Sequence, residues 1–281
     1  MNSCFIGVVS HGGSRFTGSQ GPKGLGHRLT GALTARGIAT TVAINTDDLF
    51  DDSTISLDEG LVQSSLDAEH RVMDQWESYL NVGRPGIRSL ATRSLRRARR
   101  LQQRVSSPGP AMVRRLLNIE ASHVDLLRRG LEIGADWILV LEDDAETADL
   151  EDCATGLAAL LAISGAQPAY INISRSFTPE ELGIAHLLAA EPVQTWAGPV
   201  PRVVLSASKP VTNTVCAIAY RAQFVARLLD RWESMPVTPV VPIDWKLNQA
   251  LMAMHAVGDL GPSDCWLVEP APIVQQSIHG G

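Results

Sequence analysis

The chain has 281 residues, 45% of them apolar and 19% charged, with a formal net charge of −6. These proportions exclude a largely disordered chain, and the longest apolar stretches, Cys4–Val9 and Gly156–Ile163, fall far short of the roughly 20 residues of a membrane span. Cys4, Cys153, Cys216 and Cys265 form no Cys-x-x-Cys pair, which excludes a zinc ribbon or dithiol motif and leaves buried free thiols as the expectation.

The opening Cys4–Ser10 reads as a short buried strand, followed by a loop with glycines at 12, 13, 18, 21, 24 and 26. A helix over about Leu25–Arg36, closed by Gly37, and a strand over Ala39–Asn45 complete a βαβ unit. Its parallel strands put their loops at one carboxyl edge, where Thr46-Asp47-Asp48 follows the second strand. Asp58–Tyr79 reads as a weakly patterned helix.

The charge is unevenly spread. Ten arginines lie between Arg84 and Arg115, with no Asp or Glu from Ser78 to Ile119. Ala91, Leu95, Ala98, Leu101 and Val105 form one apolar stripe on this basic helical insertion, which spans about residues 79–115 of an otherwise single domain, 1–281. A solvated helix packed by its stripe is one reading. The others are a membrane-surface helix, a face for an anionic or lipid-linked acceptor, and a nucleic-acid contact. Nucleic acid is disfavoured, since the window lacks aromatics and the whole chain is acidic.

A second helix, about Met112–Glu132, leads to the apolar strand Trp137–Leu141, which ends abruptly in Glu142-Asp143-Asp144. Helix Cys153–Ile163, strand Ala169–Ile173, a proline-broken region Pro179–Pro210, strand Val215–Tyr220 and helix Ala222–Trp232 follow. Pro236, Pro239 and Pro242 then deliver Ile243-Asp244-Trp245 and a last helix to about His255. Nothing after Met1 resembles a basic n-region with a small-residue cleavage site, so a cytoplasmic location is expected, with peripheral placement at the inner membrane face as the variant.

Acids at the carboxyl end of a strand sit where open α/β sheets bind ligands. A divalent cation there would offset charge on a pyrophosphate, and Mg²⁺ or Mn²⁺ needs only one or two protein carboxylates. Strand geometry puts Glu142 and Asp144 on one side and Asp143 on the other. Helix capping by the cluster is the competing reading.

Asn118-Ile119-Glu120-Ala121-Ser122-His123, a helix, and then Leu141-Glu142-Asp143-Asp144 resemble the Ser-His and Leu-Glu-Asp-Asp arrangement of family 25 glycosyltransferases, the lipooligosaccharide and collagen galactosyltransferase group. Ala217-Ile218-Ala219-Tyr220, Pro242-Ile243-Asp244 and Pro272–Ile278 are similar to later segments of that family, in the same order. The resemblance runs from Asn118 to Ile278, and Gly12–Arg115 matches little of it.

The resemblance implies a single-domain α/β, Rossmann-like nucleotide-sugar transferase fold of the GT-A type, with a mostly parallel central sheet and helices on both faces. It implies a glycosyltransferase that moves a sugar from a nucleotide-diphosphate donor, UDP favoured, to a hydroxyl acceptor such as a cell-envelope glycan, with Mn²⁺ or Mg²⁺ and inversion at the anomeric carbon. Donor contacts would come from Ser10, His11, Arg15 and Lys23 around the first loop, a mobile glycine loop without a ligand being its other reading, from Asp47, which reads equally as a solvated turn acid, and from Ser122, His123 and Asp143; His123 reads equally as a packing residue. Glu142, Asp144 and the late His279 would hold the metal, a solvated tail histidine being the alternative for the last. Asp244 would be the base, with helix N-capping as its other reading. Two rival functions are a nucleotidyltransferase and a non-catalytic nucleotide-sugar-binding module.

Overall fold

The computed structural model describes residues 2–10, 16, 21–46, 50, 59–80, 110–165, 167–212, 214–235 and 241–276. Strand β1 (Ser3–Val9) is buried throughout from Cys4, because it lies inside the sheet with both faces covered. Helix α1 (Leu25–Thr34) returns over one face, and the chain turns through Gly37 at φ 80°, in the left-handed region glycine adopts without strain. Strand β2 (Ala39–Asn45) then pairs parallel with β1, setting Val9 opposite Asn45.

Helices α2 (Glu59–Leu80) and α3 (Pro110–Glu132) precede β3 (Trp137–Glu142), which pairs parallel with the other side of β1 and sets Val9 opposite Glu142. The three strands end level, so Ser10, Thr46 and Asp143 leave the sheet at one edge. Helix α3 lies close on this sheet because two contact positions lack side chains. A Cβ at Gly7 would stand 3.0 Å from Leu126 Cβ, and one at Gly130 would stand 2.6 Å from Ile138 Cγ1.

The chain continues through β4 (Ala145–Glu146), α4 (Leu150–Leu161), β5 (Tyr170–Asn172) and β6 (Ser174–Arg175). Strands β7 (Gln194–Thr195), β8 (Val203–Ser206) and β9 (Ala217–Arg221) follow, then α5 (Ala222–Ser234), α6 (Ile243–Ala256), β10 (Cys265–Glu269) and β11 (Ile273–Gln275). The main sheet has the order β2-β1-β3-β9-β5-β10-β8-β7.

The fold is α/β, with α1 and α4 packed on one face and α2, α3, α5 and α6 on the other. The sheet is mixed rather than mostly parallel. Pairs β1–β2, β1–β3 and β5–β10 are parallel, whereas β3–β9, β9–β5, β10–β8 and β8–β7 are antiparallel. Strand β9 runs down between two upward strands, which places its start at the same edge as the end of β3. The proline-broken region holds β7 and β8, and β10 lies between Asp264 and Pro270, where no strand is expected from the sequence.

A second sheet, β4-β11-β6, sits at this carboxyl edge, with β11 antiparallel to β4 and parallel to β6. Among the described residues no helix is long and apolar enough to cross a membrane, and all four cysteines are buried and free.

Candidate functional site

The edge collects its polar groups from segments distant in sequence. Along β3, Ile138 and Val140 belong to the core beneath α3, and alternation puts Glu142 on that same face. There His123 of α3, 4% exposed, brings Nε2 to 3.8 Å from Glu142 Oε1 and makes no hydrogen bond through that nitrogen among the described residues. His123 is therefore buried in packing and also faces the acidic centre. Ser122, one residue earlier, is buried as well.

After Glu142 the chain turns. Asp143 is directed to the end of β1, where Ser10 Oγ donates to its Oδ2 at 2.9 Å, while Ser10 N–H donates to Asn45 O at 2.9 Å. Asp144 comes back beside Glu142, its carbonyl accepting Gln276 N–H at 2.9 Å. Ligand atoms of Glu142, Asp144 and Cys216 lie within 4.8 Å of one another. Cys216 reaches this point because β9 begins here, with Glu142 N–H donating to Cys216 O at 2.8 Å. The triplet does not cap the helix that follows it: Asp149 is the N-cap of α4 and accepts Asp152 N–H at 2.9 Å.

Asp244 lies in the first turn of α6, whose N-cap is Pro242 with no side-chain cap. Instead of capping, its Oδ1 accepts Val215 N–H at 2.9 Å, which ties the start of α6 to the approach to β9. The aspartate lines a cavity of about 260 Å³ with Thr212, Thr214, Trp245, Asn248 and Gln275 among its other walls. Gln275 connects that cavity to the acids, since its Nε2 donates to Glu142 Oε2 at 3.2 Å and its Oε1 accepts from Ser176 Oγ.

Electrostatics follow from this crowding. Burial, with Asp144 and Asp143 nearby, pushes the Glu142 carboxyl up to about 8. Burial and the Glu142 charge push Asp244 up to about 6, against the Val215 N–H bond and His123. Burial pulls His123 down to about 4 although Asp244 and Glu120 favour its charged form, so the ring is neutral at pH 7.

Of the residues singled out from sequence, the fold thus brings together Ser10 with Asp143, and Glu142 with Asp144 and His123. Lys23 is exposed on the turn before α1. His11, Arg15, Asp47, His279 and most of the basic insertion lie outside the described residues. Cys216, Gln275, Thr214 and Asn248 join the site without having been singled out for it, because their places depend on strand pairing and helix docking rather than on local pattern. The proline-delivered start of α6 was the available signal for Asn248, one helical turn after Asp244.

No protein-family model matches the chain, and the search of curated proteins returns no match.

Proposed function

We propose that this chain is a metal-dependent glycosyltransferase, moving a sugar from a nucleotide-diphosphate donor to a hydroxyl acceptor. The observation that carries this reading is one continuous wall. Asp244 and Gln275 line the same cavity, and Gln275 is hydrogen-bonded to Glu142 of the acidic centre. The similarity of the Ser-His, Glu-Asp-Asp and Pro-x-Asp segments to family 25 glycosyltransferases supports the same assignment.

Glu142 and Asp144 fit a hard divalent cation, for which two converging carboxylates at a buried edge are a sufficient protein contribution. Glu142 also has the property such a site requires: burial and neighbouring acids disfavour its charge, so a cation there would restore it. When bound, Mn²⁺ or Mg²⁺ would supply charge neutralisation to the diphosphate.

This chain's own residues do the rest. Asp143 and Ser10 form the floor between β1 and β3 on which the nucleotide half of the donor is received. Asp244 Oδ1 is held by Val215 N–H, leaving Oδ2 to take the acceptor's hydroxyl proton. As that proton transfers, the acceptor oxygen bonds to the anomeric carbon, and the bond from that carbon to the diphosphate oxygen breaks, with inversion. A base near 6 is matched to this role, because it is ionised at neutral pH while still a competent proton acceptor.

The test is a thermal-shift screen of UDP-, GDP- and CMP-sugars with and without Mn²⁺, followed by a transfer assay with the donor that binds. Metal-dependent stabilisation by one nucleotide-sugar is expected. Stabilisation by a nucleoside triphosphate alone would transfer the site to nucleotidyl chemistry and overturn the reading.

A further inference from the structure

The cavity beside Asp244 has a composition of its own. Trp76, Trp245 and Phe177 supply aromatic surface, while Ser176, Thr212, Thr214, Asn248 and Gln275 supply neutral hydroxyl and amide groups. Among the described residues the lining contains no Lys or Arg, and Asp244 is its one charged group. We propose that this cavity is a subsite for an uncharged sugar ring, stacked on Trp245 and read by Asn248 and Thr214, and that it sets the acceptor class of the transfer; this rests on the proposed function above.

Three features favour that occupant. First, size: about 260 Å³ lies just under the roughly 300–1,000 Å³ of pockets for drug-sized ligands, which suits a single ring rather than a long chain. Second, the mixture of walls matches a pyranose, which has an apolar C–H face that packs on an aromatic ring and a rim of hydroxyls that needs neutral donors and acceptors.

The aromatic wall is fixed in advance. Trp76 meets Trp245 edge-on at 6.5 Å and stacks on Tyr79 at 5.9 Å, and Tyr79 in turn meets His255 at 5.7 Å. Phe177, 45% exposed, stands at the edge of this wall toward solvent. The polar wall is oriented too. Asn248 Oδ1 accepts Thr212 N–H at 3.1 Å, which points the amide and leaves Nδ2 as a donor, and Thr214 Oγ1 accepts Cys216 N–H at 3.2 Å, which leaves its hydroxyl hydrogen for a ligand.

The third feature is exclusion. A phosphorylated or carboxylated acceptor group in this cavity would meet the Asp244 carboxylate and no described cation, an arrangement that penalises it. The anionic acceptor suggested by the basic insertion is therefore disfavoured for the group that enters here, whatever the insertion contacts.

The experiment uses the full chain without nucleotide or metal, titrated with a methyl hexopyranoside, glucuronate and glucosamine and followed by saturation-transfer NMR. The neutral glycoside is expected to bind with a dissociation constant in the millimolar range, glucuronate about tenfold or more weakly. Trp245→Ala should weaken the glycoside about tenfold, with Trp245→Phe retaining most of the binding because the stacking surface persists. Equal binding of glucuronate, preferential binding of the ammonium sugar, or an unchanged affinity in a folded Trp245→Ala protein would each overturn the proposal. Running the donor thermal shift on the same preparations separates the two readings: lost glycoside binding with intact donor binding sinks the subsite alone. Intact glycoside binding without donor binding sinks sugar transfer and keeps the subsite.

Discussion

Two buried acidic clusters in this protein behave in opposite ways. Asp152, in the first turn of α4, is fully buried, and it accepts from Trp196 Nε1 at 2.9 Å, Val200 N–H at 3.0 Å and Arg202 Nε at 2.8 Å. Burial alone would raise its carboxyl, but these bonds and the guanidinium hold it below the usual range. Gly198 lies so close to Asp152 that a Cβ there would collide with its carboxylate. At the carboxyl edge, Glu142 has a longer bond from Gln275 and a neutral imidazole at 3.8 Å, and both Glu142 and Asp244 are pushed up. The first cluster is matched by donors from its own chain and staples residues 196–202 to α4. The second holds Glu142 and Asp244, whose charged forms the fold disfavours, and this is the contrast on which the proposed function draws.

That contrast is broken most sharply at Asp244. Asp244→Asn keeps the shape and the bond from Val215 N–H but removes the proton acceptor, so the transfer rate should fall about 10²- to 10⁴-fold while donor affinity stays level. A full rate in that variant, measured with the donor found by the screen, would dismiss Asp244 as the base. The matched cluster should respond in stability instead. Asp152→Ala leaves the Arg202 guanidinium without its carboxylate partner and should cost about 3–5 kcal/mol in denaturant unfolding. The increment in melting temperature from donor and Mn²⁺ should persist in that variant, and its loss would mean that the two clusters are not separate in function.

Next in size is Asp144→Ala. If Glu142 and Asp144 hold the cation, the variant should lose the metal-dependent part of the donor's stabilisation, at most about 2.7 kcal/mol at a donor concentration 100 times its dissociation constant. An undiminished Mn²⁺ effect would detach the metal from this pair.

How much of this is legible before folding differs between the two clusters. Glu142 and Asp144 stand out in the sequence because a continuous apolar run ends on them, and Asp244 because prolines deliver it. The strands β1, β2, β3 and β9 are equally plain, being apolar runs bounded by loops. Their relative direction is not: β9 pairs with β3 across more than 70 intervening residues, and nothing local to Ala217–Arg221 says that it runs downward. The same holds for Gln275, whose reach to Glu142 depends on the register of β11 with β4. Asp152 carried no signal, since its partners at Trp196, Val200 and Arg202 come from a region that reads only as proline-broken. Strands of two or three residues, such as β4, β6 and β7, are too short for a period to register.

The smallest effect separates the two clusters without any ligand. Glu142 moves from an ordinary value of 4.5 to about 8 on folding, so between those limits the folded state holds a proton that the unfolded chain releases, and stability falls as pH rises. Asp244 adds the same sign, but only up to about 6. His123 has the opposite sign: lowered from 6.5 to about 4, it makes the folded state the poorer proton binder, and stability rises with pH across that interval. The contributions overlap below 6.5, which leaves pH 6.5–8 as the window governed by Glu142 among these groups. There the metal-free protein should lose stability with a slope of at most about 1.4 kcal/mol per pH unit, and Glu142→Gln should flatten it. Asp152 contributes nothing to this slope, because its lowered carboxyl is ionised in both states throughout the window. Saturating Mn²⁺ should abolish the slope, since a cation binds the carboxylate and not the acid, leaving Glu142 ionised in both the folded and the unfolded chain across this window. A wild-type protein whose unfolding free energy is level from pH 6.5 to 8 would show that Glu142 is as well compensated as Asp152, and the distinction between the clusters would collapse.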